Sequence, residues 1–208
     1  MLGESFEYTK EGLIGKWMKW ILLIIASIIF PLLYGYVVRI YKGESPSPEL
    51  DDWAGLFIDG IKLLIIGIVY AIPIIIVAFL LIGGAVISAA AMGMSDVAAI
   101  AGAGFGLLIV LIFAIIIGLI VPIAYVRFAR TGSMGEAFNF SAIIGHIGKI
   151  GWISYIIALI ILGVVISVIE FILMMIPVLG WILIFILIPA FAIFSARYMS
   201  LLYDNASE

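Results

Sequence analysis

From Leu63 to Ser95 the chain reads LLIIGIVYAIPIIIVAFLLIGGAVISAAAMGMS, without one charged side chain. A helix rises about 1.5 Å per residue and a bilayer's hydrocarbon core is about 30 Å thick, so about 20 apolar residues suffice to cross it. This stretch is longer than that and must tilt, bend or project beyond the bilayer. Working outward, the charges leave four more uncharged stretches: Val97–Val126, Trp20–Val38, Ile150–Ile169 and Phe171–Ala196. None shows the short alternating segments of a membrane β-barrel. In hydrocarbon every backbone amide must be bonded within the chain, so these stretches are helices. Composition agrees. Of 208 residues, 66% are hydrophobic and 11% charged, where a soluble domain carries about 25% charged residues.

The expected fold is all-α: a polytopic transmembrane helical bundle of about five spans with short interfacial amphipathic helices. The spans fall at roughly 17–38, 62–91, 100–128, 150–176 and 180–203. They form a single membrane domain, 17–208, behind an N-terminal interfacial segment, 1–16. The opening MLGESFEYTKEGLIGK is too polar and acidic for a secretory signal peptide. Net charge is −3, which excludes a basic field for nucleic acid. With no cysteine there is no disulfide, thiol nucleophile or thiolate metal site.

Lysine and arginine set the orientation. Five spans place Arg39, Lys42, Lys62, Arg127, Arg130, Lys149 and Arg197 on one side, and Lys10, Lys16 and Lys19 on the other. The positive-inside rule then puts the longer loops and the C-terminus in the cytoplasm, with the N-terminus outside. The belt of aromatic residues follows, with Trp17, Trp20 and Trp181 at one interface. The first span is contested, because three lysines beside it also favour the cytoplasm. If they prevail, Ile21–Val38 becomes a re-entrant hairpin bent near Pro31. Asn139-Phe140-Ser141 and Asn205-Ala206-Ser207 are glycosylation triplets on the side assigned to the cytoplasm.

Three segments end alike. Pro31 precedes Arg39 by eight residues, Pro122 precedes Arg130 by eight, and Pro189 precedes Arg197 by eight. A proline thus bends each helix about two turns before an arginine reaches the headgroups. The spacing implies a parallel pseudo-repeat of 17–91 and 100–176. Parallel repeats occur in transporters and also arise by plain duplication. After each of the first two arginines comes a polar loop and then an amphipathic segment. Asp51-Asp52 caps a helix starting at Trp53, with Trp53, Leu56, Phe57 and Ile61 on one face. Met134–Ile147 and the residues Leu2, Phe6, Leu13 and Trp17 form further interfacial candidates.

The run Gly35-Tyr36-Val37-Val38-Arg39, then Gly43-Glu44, Pro48-Glu49-Leu50-Asp51-Asp52-Trp53, Leu56-Phe57 and Asp59-Gly60 resembles the domain-of-unknown-function 4013 family. The resemblance implies a multi-pass membrane protein, archaeal and in the cytoplasmic membrane. It implies no activity.

Few residues are candidates for a site. Glu170 interrupts the last two uncharged runs, and burying an ionisable group in a membrane is costly, so it is a possible functional acid. Helix counting keeps it away from Arg197. Gly84, Ser88, Gly102 and Gly106 have the small-residue spacing that lets helices approach closely. In a hairpin turning near Ser95, Gly84 faces Gly106 and Ser88 faces Gly102. The alternative is homodimerisation through that face. Arg39, Trp53, Arg130 and Arg197 are interfacial anchors. His146 has no spaced metal ligands around it, and the acidic residues Glu44, Glu49, Asp51, Asp52 and Asp59 read as a solvated loop. No cofactor, metal or catalytic set is expected, and the protein is read as a non-enzyme.

Two function classes remain. The first is a non-enzymatic scaffold or accessory subunit. It would act through helix or lipid contacts, with membrane lipids, another membrane protein or a second copy as partners. The second is a small oligomeric transporter or channel for ions or small solutes that uses Glu170.

Overall fold

The computed structural model describes residues 1–93 and 96–206, without the side chains of Asp96, Ala98 and Ala99. The described residues are helical almost throughout, in the order α1 (Leu2–Leu13), α2 (Trp17–Ile28), α3 (Phe30–Tyr41), α4 (Trp53–Ala78), a π turn (Phe79–Gly83), α5 (Gly84–Ala91), α6 (Asp96–Thr131), a 3-10 turn (Met134–Phe138), α7 (Phe140–Ile150), α8 (Trp152–Met174) and α9 (Leu179–Asp204). Four helical stretches are long and apolar enough to cross a membrane: Trp53–Ala91, Ile100–Thr131, Trp152–Met174 and Leu179–Asp204. They carry large exposed apolar side chains, among them Phe79 at 70%, Ile100 at 71% and Ile153 at 77% exposure. Water would penalise such surfaces, whereas hydrocarbon does not.

The first uncharged stretch does not form the expected span. It breaks into α2 and α3, each of 12 residues. Twelve residues cover about 18 Å, which is too short to cross. The break falls at Ile29-Phe30, where Pro31 starts α3 in a position that needs no amide donor. The two helices run back alongside each other, because Lys19 at the start of α2 and Tyr36 near the end of α3 both bond Ser47. The lysines therefore stay with the other cations. The N-terminus also lies beside the C-terminus and not at the opposite end of the spans as expected: Arg197 pairs with Glu4 at 2.9 Å, and the Asn205 amide lies 3.5 Å from the Met1 sulfur. Both chain ends lie at one end of the spans. The non-spanning segments 1–52 and 132–151, with the adjoining turns of the spans, hold all ten Lys and Arg residues.

By internal contacts the chain divides into two units, Met1–Leu64 with Pro122–Glu208, and Ile65–Val121. In the first, α9 packs on α1, α3 and α8. Its core holds Leu23, Tyr36, Ile40, Leu56, Ile143, Ile147, Tyr155 and Ile193, each under 2% exposed. The α8–α9 pair is pinned by the Tyr198 hydroxyl, which donates to the Ala158 carbonyl at 3.1 Å. Pro189 removes an amide donor inside α9 and loosens that turn. There the Trp20 indole donates to the Ile186 carbonyl at 3.0 Å. Trp20 thus lies against the first half of α9, which also carries Trp181.

Helices α3 and α4 cross in backbone contact. A Cβ on Gly60 would sit 2.6 Å from the Pro31 carbonyl carbon and 2.8 Å from the Gly35 nitrogen, and one on Gly35 would sit 2.7 Å from the Leu56 Cα. Only glycine permits that approach. The expected interfacial helix at Trp53 is instead the first turns of α4. Asp52 accepts from the Gly55 amide at 3.1 Å and caps the helix, and nothing breaks it before Ala78. The second amphipathic stretch is a separate helix, α7. Asn139 caps it and Ile143 and Ile147 bury one side. Ser207 of the other glycosylation triplet lies outside the described residues.

The second unit is a helix hairpin that, apart from Asp96, holds no charged residue. Its helices touch at Gly102, where a Cβ would sit 3.2 Å from Ala85, and at Gly106, where one would sit 3.1 Å from Leu81. Gly84 has open space and Ser88 is exposed, so neither faces Gly106 or Gly102. The π turn at Phe79–Gly83 explains the difference: an i to i+5 turn rotates the following residues away from the regular helical phase. The expected turn near Ser95 lies outside the described residues.

Candidate functional site

The densest polar structure is the loop 42–52 and the side chains that hold it. The loop has no ladder to bond its amides and carbonyls, so other groups must do so. At its start Gly43 has φ +89°, and a Cβ there would meet the Arg130 guanidinium at 2.8 Å. The Tyr8 hydroxyl donates to the Glu44 carbonyl at 2.7 Å. Lys19 donates to the Ser47 carbonyl at 3.2 Å. The Tyr36 hydroxyl donates to the Pro48 carbonyl at 2.9 Å and shares a bond with the Ser47 hydroxyl at 2.7 Å. Arg39 donates to the carbonyls of Glu49, at 3.1 Å, and Asp51, at 3.0 Å, and pairs with the Asp51 carboxylate. Four side chains thus bind five successive or near-successive carbonyls, and the loop is clamped back along α3.

Three carboxylates here, Glu49, Asp51 and Asp59, are each paired with a cation. Glu49 accepts from Lys16 at 3.4 Å and from Lys19 at 3.5 Å. Asp59 takes Lys42 at 3.0 Å and Lys62 at 2.9 Å. The bond from Arg39, with its positive charge, holds the Asp51 carboxyl below its usual range. Burial pushes the Tyr8 phenol up to about 12, so it stays a donor to the loop. Among the described residues no three His, Cys, Asp or Glu side chains are grouped to hold a metal ion.

The other arginines act likewise. Arg130 donates to Ser200 at 2.9 Å and to Asp204 at 2.7 Å, joining α6 to α9. Arg127 pairs with Glu136 in the 3-10 turn and holds that carboxyl below its usual range. Arg197 lies over the Tyr8 ring, 4.8 Å from its centroid. His146 stacks on Tyr203 at 3.8 Å, and its ring nitrogen bonds the Tyr203 carbonyl at 2.9 Å. Burial holds this imidazole below its usual range, so it is neutral at pH 7. Trp53 is 40% exposed at the head of α4. The named arginines thus have definite partners inside the protein. Tyr8, Lys19 and Ser47 complete the clamp although no local sequence signal marks them.

Glu170 stands apart from this network. It is half-buried on α8, and among the described residues it makes no hydrogen bond or ion pair. Arg197 is taken by Glu4. A nearby groove is lined by Phe6, Val165, Ile169, Ala190 and Phe194 with one polar residue, Thr9, and Glu170 is not part of its wall.

The motif residues Tyr36, Arg39, Gly43 and Asp51-Asp52 therefore serve the clamp, and Gly35 and Gly60 the helix crossing. No curated protein and no solved structure matches the chain. One family model does, that of "Protein of unknown function (DUF4013)", over residues 20–178, from α2 through α8. With that match covering most of its length, the chain belongs to the DUF4013 family of proteins of unknown function.

Proposed function

We propose that the protein is a non-enzymatic membrane component, a scaffold or accessory subunit that works through the apolar faces of its helices. One observation carries this reading. The polar groups of the clamp are engaged with one another, while the hairpin 65–121 presents uncharged helix faces with Phe79, Ile87, Ile100 and Phe105 between 65% and 71% exposed. Large apolar patches are where lipids and membrane partners attach. We place the end that holds both termini, Arg127, Arg130 and Arg197 on the cytoplasmic side of the cell membrane, the side the positive-inside rule favours. Photo-crosslinking from Phe79 and Phe105 in native membranes tests the reading. Discrete adducts to another membrane protein, or to a second copy, are expected. Adducts to lipid alone, with solute flux by the purified protein in liposomes, would overturn it.

The unpaired, half-buried Glu170 favours a second reading, a small oligomeric transporter or channel. That reading requires liposome flux that Glu170→Gln abolishes. The scaffold reading expects no flux in either form.

A further inference from the structure

At the base of the α2–α3 hairpin lies a cavity of about 370 Å³. Its wall includes Lys16, Trp17, Lys19, Leu22, Glu49 and Leu50. The volume falls in the ordinary range for a small-ligand pocket. The cavity has two chemically different ends. At the polar end two ammonium groups share one carboxylate oxygen, since Lys16 and Lys19 both reach the same Oε1 of Glu49. Two cations and one anion leave a charge of +1. Lys19 is only 6% exposed and is fixed by Ser47, whereas Lys16 is 43% exposed and has Glu49 as its one partner among the described residues. The first turn of α2 contains no acidic residue that would repel an anion.

The other end is apolar. Leu22 and Leu50 line it, and Trp17, also in its wall and 65% exposed, begins an exposed stripe of α2 with Ile21 at 53%, Ile25 at 46% and Ile28 at 64%. These recur at the spacing of one helix face and extend for about 16 Å. A free phosphate would satisfy the lysines and leave this stripe unused. A neutral lipid would use the stripe and leave the charge uncompensated.

We infer that this cavity binds an anionic phospholipid. Its phosphodiester would lie at Lys16 and Lys19, where one negative charge balances the surplus cation. One acyl chain would lie along Trp17, Ile21 and Ile25. The site is independent of the proposed scaffold role, because it needs no protein partner.

The test uses the full chain in mild detergent, titrated with phosphatidylglycerol, phosphatidylcholine or inorganic phosphate and read by native mass spectrometry. Phosphatidylglycerol should bind at least tenfold more tightly than phosphatidylcholine. Lys16→Gln should weaken it about fivefold, the effect of one lysine at an anionic headgroup. Lys149→Gln, on α7 and outside the cavity, should leave binding unchanged. Ile21→Gln should weaken the lipid and not the phosphate. Lys16 carries the charge test because Lys19 also holds the loop, and thermal melting of each variant checks its fold. Equal binding of the two lipids would overturn the inference. So would equal losses in Lys16→Gln and Lys149→Gln, or displacement of phosphatidylglycerol by millimolar phosphate.

Discussion

Adding one methyl group at Gly60 should separate two helices. In Gly60→Ala the new Cβ would fall 2.6 Å from the Pro31 carbonyl carbon, where carbon atoms rest at about 3.5 Å or more. Helices α3 and α4 would have to part by roughly 1 Å. The obstacle is backbone and cannot rotate aside, so the cost sits at the upper end of overpacking, about 3 kcal/mol. Alanine's better helix propensity returns about 0.5–1 kcal/mol. The net loss is about 2 kcal/mol, or roughly 4–8 °C in melting temperature for a chain of this size. Gly84→Ala is the internal comparison. Nothing lies within 4 Å of its Cβ position, so it should melt at or slightly above the parent temperature. Both are read by intrinsic fluorescence during heating in one detergent, with gel filtration to confirm the oligomeric state. Unchanged melting of Gly60→Ala, or an equal fall in Gly84→Ala, would refute the crossing described above.

Other outcomes follow from the clamp and the docked helices. Arg39→Ala should release the loop 42–52, seen as faster proteolysis there with the spans intact. Acid should do the same. The folded Asp51 carboxyl is held below its ordinary value of 3.8; its contribution is complete above that value and lost as the pH falls through the depressed one. His146→Ala should cost about 1–2 kcal/mol through the lost hydrogen bond and ring stacking. Because burial lowers the folded imidazole below 6.5, stability should decline as the pH drops below 6.5, and the His146→Ala variant should lack that decline. Trp20→Phe should lose about 1 kcal/mol, the net worth of its bond to the Ile186 carbonyl.

The long uncharged runs made four spans legible, because the bilayer sets a minimum apolar length and the charges at Lys62, Arg127, Lys149 and Arg197 mark where each run stops. The first run, Trp20–Val38, satisfies the same length rule, yet it folds as two short helices. Length and cation placement conflicted there. Pro31 at the start of α3 permits the break that keeps Lys10, Lys16 and Lys19 with the other cations. The Asp52 cap was legible as a local pattern. Tyr8 and Lys19 were not, since they reach the loop across 36 and 28 residues and only the tertiary fold brings them there. The pseudo-repeat faded for a similar reason. Pro122 lies inside a continuous helix where Pro31 begins one. Gly84 and Ser88 were misplaced because a π turn shifts helical phase without any mark in the sequence.

Four crossings put both chain ends at one face of the membrane. The chain has no cysteine, so single cysteines can be placed at Gly3, Gly132, Ala206 and Val178 and exposed to a membrane-impermeant maleimide in sealed vesicles. Gly3, Gly132 and Ala206 should label from one side and Val178, in the α8–α9 turn, from the other. Labelling of Gly3 from the side opposite Ala206 would contradict the hairpin of α2 and α3 and restore a fifth span.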